Sequence, residues 1–313
     1  MMLLKFAAHC RLRRRTNMAA REIAPKGDII MAFTVGLVGI GAMGQALLTR
    51  LKLAGHNVQG FDISPDSRSA AEKLGAALQG SAAEAARGAR YVHVFVNSDE
   101  QMIEAALAAN GVVGAMTADA ILILHSTVLP ETTHRIAAEA NKRGIRTIDA
   151  PITSVPQRVR DGHTAFLVGG PAELVAEVRP YLESLGGHIY YFGALGTGNI
   201  AKLAKNFANT ASRVLLSETV QIAEAGGIEP QTFFEMMEAE EHGSLVSQWR
   251  KLFAIEKGHA VPKPAPNLFN KDVLLAAEFA KSSGLDAPMA QGAAHTALAW
   301  IARWGMKAAV PSR

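Results

Sequence analysis

Three glycines spaced as Gly39-Ile40-Gly41-Ala42-Met43-Gly44 follow an apolar run and open a helical pattern, the place where a strand turns into a helix. In that context Gly39 permits the tight turn, Gly41 lets the backbone approach a pyrophosphate, and Gly44 lets helix and strand pack closely. The helix start offers free N–H groups and a partial positive charge to phosphates. Asp62 stands 18 residues beyond Gly44, at the end of the second β-like run, where a carboxylate accepts hydrogen bonds from the adenosine ribose hydroxyls. A 2′-phosphate would be repelled there and would want an arginine, yet Ile63, Ser64 and Pro65 come next and Arg68 is the one close basic residue. NAD is therefore the expected cofactor, with NADP disfavoured.

Such residues need a scaffold, and the surrounding pattern describes one. From 33 to about 192, short β-branched runs alternate with Ala-rich helical stretches, the signature of a parallel sheet with crossover helices. The expected strands cover 34–38, 57–61, 91–96, 121–125, 146–149, 166–168 and 189–192. Strand patterns then cease, and a long periodic stretch from Asn199 to Ala225 stops at Gly226-Gly227. The expected fold is α/β, with a Rossmann-type parallel sheet domain at 32–197, then an all-α C-terminal domain at 198–313 joined through a long helix.

Composition excludes other classes. The 313 residues are 49% hydrophobic and 19% charged, a globular balance with length enough for two cores. Cys10 is the sole cysteine, so neither an intrachain disulfide nor a multi-cysteine zinc site can form, and no metal is expected. Residues 1–30 hold seven Lys/Arg against two acids, so the positive charge belongs to this leader and nucleic acid is not an expected partner. The segment 1–31 reads as a basic leader, disordered or not native, since Met18 and Met31 are alternative starts. Its Arg11 to Arg15 cluster also suits a mitochondrial transit peptide, so the expected location is cytoplasmic unless the leader is genuine. Ile29 to Thr49 lacks charge over about the length of a membrane span, but its glycines fit strand, turn and helix, and no membrane partner is expected.

Four further segments fall at expected strand ends and domain junctions: His125-Ser126-Thr127-Val128-Leu129-Pro130, Asp149-Ala150-Pro151-Ile152-Thr153-Ser154, the run from Gly193 to Asn206, and Asn270-Lys271-Asp272. Together with GLVGIGAMG at 36–44, they make the chain resemble the β-hydroxyacid dehydrogenase family, in that family's order and spacing from 33 to about 295. The resemblance implies hydride transfer between NAD(P) and a small β-hydroxy acid, 3-hydroxyisobutyrate-like, by a homo-oligomer, dimer or tetramer, whose helical domain serves substrate binding and dimerisation.

It also implies site residues. The family's catalytic lysine matches Lys202, and the second asparagine of its K-x-x-N-N motif matches Asn206, one helical turn on; Lys205 replaces the first. A C–OH group that loses hydride must also lose a proton, so a positioned amine serves as acid/base, and burial would lower its pKa toward working pH. Thr127, with Val96 and Asn97 in the neighbouring loop, matches cofactor contacts, although the family's frequent Leu-Pro is absent beside Asn97. Lys271 matches the lysine that closes over cofactor and substrate. The substrate loop departs from the family's D-A-P-V-S-G-G, with Thr153, Ser154 and Val155 in place of the serine and two glycines, followed by Pro156, Arg158 and Arg160. Thr153 keeps a hydroxyl and the next two N–H groups remain to bind a carboxylate, so the departure bears on the substrate rather than the reaction. Two alternatives stay open. One is an NADPH-dependent semialdehyde or imine reductase of the same fold, which Asp62 disfavours. The other is a catalytically silent nucleotide-binding scaffold, motivated by the altered loop and opposed by Lys202, Asn206 and Lys271.

Overall fold

Serine and proline set where the helices begin. In the computed structural model, which describes residues 32–239, 246, 247, 249, 250, 253–263 and 268–304, β1 (Thr34–Val38) leads into α1 (Ala42–Leu53) and β2 (Asn57–Phe61) into α2 (Pro65–Lys73). The leader expected at 1–31 lies outside the described residues. There follow β3 (Ala77–Leu78), α3 (Ala82–Ala86), β4 (Tyr91–Val94), α4 (Asp99–Leu107), α5 (Val112–Ala115), β5 (Ile121–Leu124), α6 (Pro130–Asn141) and β6 (Arg146–Asp149). Next come α7 (Pro156–Arg160), β7 (Thr164–Gly169), α8 (Ala172–Ser184) and β8 (Gly187–Gly193). Ser64, Ser81 and Ser98 cap α2, α3 and α4 by accepting the N–H groups of Ser67, Glu84 and Gln101. Pro65, Pro130 and Pro156 occupy first turns, where a missing N–H costs nothing.

The eight strands form one sheet in the order β3-β2-β1-β4-β5-β6-β7-β8. Helices cover both faces, so central strands carry no polar alternation: Ile121–Leu124 reads ILIL and is buried throughout. Leu47 and Leu51 of α1, Val159 of α7 and Val178 of α8 fill one face. Ala85 of α3, Met102 of α4, Val112 of α5 and Ile136 of α6 fill the other.

The sheet is not wholly parallel. Strands β1 to β6 are parallel, but β7 joins β6 antiparallel through Asp149 and Gly169. Ile152 bridges Phe166 antiparallel as well, so the chain returns beside itself as a wide hairpin instead of crossing over.

Beyond the sheet lie α9 (Thr197–Ala225), α10 (Pro230–Ala239), β9 (Phe253–Glu256), β10 (His259–Pro262), α11 (Leu268–Ser282) and α12 (Pro288–Trp304). Among its described residues this part is helical apart from the β9–β10 hairpin and the connecting turns, and the hairpin departs from the expectation that strands cease. Its two-residue turn places Lys257 and Gly258 at φ 52 and 79, the left-handed pair that a tight hairpin requires. Helix α9 packs on β7 and β8 and also on α11 and α12, so it belongs to both parts of the chain. Among the described residues, no helix is long and apolar enough to cross a membrane.

Candidate functional site

The glycine turn between β1 and α1 is shaped by what it excludes. Gly39 has φ +85, and a Cβ there would lie 2.0 Å from the Phe95 carbonyl oxygen; one on Gly44 would lie 2.2 Å from the Gly39 oxygen. Both are closed to a side chain. At Gly41 nothing lies within 4 Å of the Cβ position, and this open residue is the N-cap of α1 with no side-chain cap. The first-turn N–H groups, Ala42 and Met43 among them, are thus left for a ligand, and the cradle fits a dinucleotide pyrophosphate. Ile40 is buried and donates its N–H to Asp62 Oδ2 at 2.6 Å, while Ser64 N–H donates to Oδ1 at 2.8 Å. Each Asp62 oxygen keeps acceptor capacity for a ribose hydroxyl. Arg68 is engaged elsewhere: it donates to the Gln79 carbonyl at 2.9 Å and lies over the Phe61 ring.

At the ends of β4 and β5, two loops meet under one lysine. The Ser126 hydroxyl accepts from Val96 N–H at 2.8 Å and donates to the Val96 carbonyl at 2.7 Å. Lys271, reaching from α11, donates to the Asn97 carbonyl at 2.6 Å and to the Thr127 carbonyl at 2.8 Å. Burial lowers its pKa, opposed by the charges of Asp272, Asp99 and Glu100. Val96, Asn97, Thr127 and Lys271 therefore gather at one place, held through backbone carbonyls.

The start of α9 is fixed by a residue on another element. Asp149, fully buried at the end of β6, accepts from the N–H groups of Gly196 at 2.7 Å and Asn199 at 2.8 Å. A carboxylate at a helix N-terminus meets both the unpaired donors and the positive end of the dipole. Burial nevertheless raises its pKa, with those two hydrogen bonds opposing. The Asn199 side chain ties the same turn to the sheet, accepting from Val128 N–H at 3.3 Å and donating to Thr133 Oγ1 at 3.0 Å.

Lys202 follows one turn further on. Its amine donates to the Ile152 carbonyl at 2.7 Å, immediately before Thr153. Burial lowers its pKa to about 8, the Lys205 charge acting in the same direction and Asp272 opposing. Asn206 does not bond to Lys202; its amide donates to Asp272 Oδ2 at 2.6 Å and its oxygen accepts from Lys205 at 3.3 Å. Burial raises the Asp272 pKa against the neighbouring lysines and the Asn206 bond. In the loop expected to hold the substrate, Thr153 N–H pairs with the Ala165 carbonyl at 2.9 Å and the Ser154 hydroxyl donates to the His163 carbonyl at 3.2 Å. The N–H groups of Ser154 and of exposed Val155 have no hydrogen-bond partner among the described residues, so both remain for an anion. Asp149, Asn199 and Asp272 were not singled out from sequence as site residues, although all three lie within the quoted motifs.

The family description "NAD binding domain of 6-phosphogluconate dehydrogenase" matches residues 34–193, and "NAD-binding of NADP-dependent 3-hydroxyisobutyrate dehydrogenase" matches 196–309. The chain belongs to the β-hydroxyacid dehydrogenase family. It is an NAD(P)-dependent dehydrogenase acting on a CH–OH group. A 3-hydroxyisobutyrate dehydrogenase of Pseudomonas aeruginosa is 29% identical over 82% of this chain and 88% of its own length. An NAD-dependent L-serine dehydrogenase of the same organism is 27% identical over 82% and 88%. A solved Mycobacterium tuberculosis 3-hydroxyisobutyrate dehydrogenase with L-serine aligns at a TM-score of 0.74 and 27% identity, covering 87% of this chain and 94% of that one.

Proposed function

We propose that this dehydrogenase oxidises a small, 3-hydroxyisobutyrate-like β-hydroxy acid with NAD, and that Lys202 is its acid/base. The observation that carries the reading is the Lys202 amine, lowered to about 8 by burial and bonded to the Ile152 carbonyl beside the substrate loop. Bound NAD supplies the hydride acceptor. The amine, with one N–H held by Ile152, directs its lone pair to the substrate hydroxyl and takes that proton as the hydride leaves. The free N–H groups of Ser154 and Val155, with the Thr153 hydroxyl, hold the substrate carboxylate, and the Val155 side chain limits what lies beside it. Asp62 favours NAD, since its carboxylate suits ribose hydroxyls and repels a 2′-phosphate. Oxidation needs the free amine and so rises as pH climbs through about 8, while the reverse reduction needs the ammonium and falls there.

Lys202→Ala tests the assignment: NAD affinity stays near that of the parent while turnover falls by about two to four orders of magnitude. Lys202→Arg fails nearly as badly, because a guanidinium keeps its proton at working pH. Parent-like turnover by Lys202→Ala across the pH range refutes the reading.

A further inference from the structure

Two histidines and a tyrosine lie end to end inside the sheet domain, none of them used by the chemistry above. The Tyr181 hydroxyl of α8 is 2.7 Å from His93 Nε2, His93 Nδ1 is 2.7 Å from His125 Nε2, and His125 Nδ1 is 2.7 Å from the Ala150 carbonyl oxygen. All three side chains are buried, and Tyr181 stacks on Tyr91 with ring centroids 3.8 Å apart. A carbonyl oxygen only accepts, which fixes the direction of the whole chain. His125 Nδ1 must carry a hydrogen, so its Nε2 accepts from His93 Nδ1–H, and His93 Nε2 accepts from the tyrosine. Burial keeps both rings neutral, His125 being lowered to about 4 and His93 well below its usual value. A buried polar chain satisfied at every atom specifies one geometry strongly.

That geometry ends on the segment that governs Lys202. Ala150 also donates its N–H to the Leu124 carbonyl at 2.8 Å, so its backbone is gripped on both sides. Asp149 precedes it and caps α9; Ile152 follows two residues later and receives the Lys202 amine. From this juxtaposition we infer that Tyr181, His93 and His125 act as positioning residues, setting the Lys202 amine through the Ala150–Ile152 backbone. The inference rests on the proposed role of Lys202 for its catalytic consequence, but not for its structural one.

The test uses the full chain and two independent readouts. One is turnover with the hydroxy acid. The other is the pH midpoint for acetylation of Lys202 by acetic anhydride, read by peptide mass spectrometry without cofactor or substrate. The charged groups facing that amine, Lys205, Lys271 and Asp272, are unchanged in every variant. His125→Leu loosens the Ala150 carbonyl and admits water to the amine, so the midpoint rises toward the ordinary lysine value and turnover falls about 10- to 100-fold. His125→Asn, whose amide donates from nearly the position of Nδ1, restores most of both. Tyr181→Phe removes only the terminal donor and moves both readouts in the same direction by less; it decides the matter if the leucine variant does not fold. An unchanged midpoint in every folded variant, with only melting temperature lowered, overturns the inference. A shifted midpoint with parent-like turnover supports the positioning and refutes instead the acid/base role of Lys202.

Discussion

Asp149→Asn isolates the link between helix capping and chemistry. The carboxylate receives two backbone donors, Gly196 and Asn199, at full burial. An amide of the same shape keeps one acceptor and turns an NH₂ toward the other N–H. That loses one charge-assisted bond, about 1.5–3 kcal/mol, and leaves a buried donor unsatisfied at roughly 1–3 kcal/mol more. Relief from burying a charge offsets part of this, because the raised pKa of Asp149 shows that the ionised form is held there at a cost. The net is about 2–3 kcal/mol, or a fall in melting temperature of roughly 3–5 °C for a chain of about 300 residues. Since Lys202 lies three residues beyond Asn199, loosening this turn also displaces the amine and lowers turnover by about tenfold or more. Circular dichroism melting and steady-state kinetics on the same preparation measure both. A melting temperature within about 1 °C of the parent, with unchanged turnover, refutes the view that Asp149 sets the start of α9.

Asp62→Ala narrows the preference for NAD over NADP by about tenfold, close to 1.4 kcal/mol, in the ratio of kcat/KM values; equal or better efficiency with NADP in the parent removes the basis of the argument. Lys205→Ala withdraws a like charge from Lys202, so the limb of the pH–rate profile near 8 moves upward while the maximal rate changes less; a downward shift refutes the electrostatic account. Acid also tests the buried histidines: a folded pKa lowered from 6.5 to about 4 gives His125 a stabilising contribution complete above 6.5 and lost as pH falls toward 4. The loss is roughly 3 kcal/mol at full burial, partly offset by Asp149 and Asp272, whose raised values favour folding as pH falls. Urea denaturation at pH 7 and pH 4.5 shows a smaller difference for His125→Asn than for the parent, and equal differences refute the assignment.

What could be read from the sequence was local. Gly39, Gly41, Gly44 and Asp62 lie within one strand–helix–strand unit, where spacing alone fixes their relation. The buried run 121–124 announced a central strand because no polar alternation interrupts it. Strand direction is not encoded in such runs, so the reversal of β7 was invisible; it depends on Ile152 finding Phe166 and Asp149 finding Gly169. The β9–β10 hairpin escaped because its strands, Phe253–Glu256 and His259–Pro262, are only four residues each and carry few strand-forming side chains, chiefly Phe253, Ile255 and Val261. Among site residues, Lys202 was legible through the motif that contains it, but its partner Ile152 is 50 residues away. Asn206 shares a helix face with Lys202, yet Asp272, 66 residues on, claims its amide. The chain from Tyr181 to Ala150 joins α8, β4 and the residues just past β5 and β6, and each histidine taken singly reads as an ordinary core residue.

Helix α9 is 29 residues long, a rod of about 43 Å. It is pinned near one end by Asp149 and Asn199, and Lys202 stands only about 8 Å along it. The rod behaves as a lever with its fulcrum beside the amine. A tilt of about 5° would carry the far end by roughly 4 Å but Lys202 by under about 1 Å. Small tilts of the distal arm are therefore attenuated at the Lys202 nitrogen, whereas α11, which carries Lys271 and Asp272 to the same place, has no such freedom.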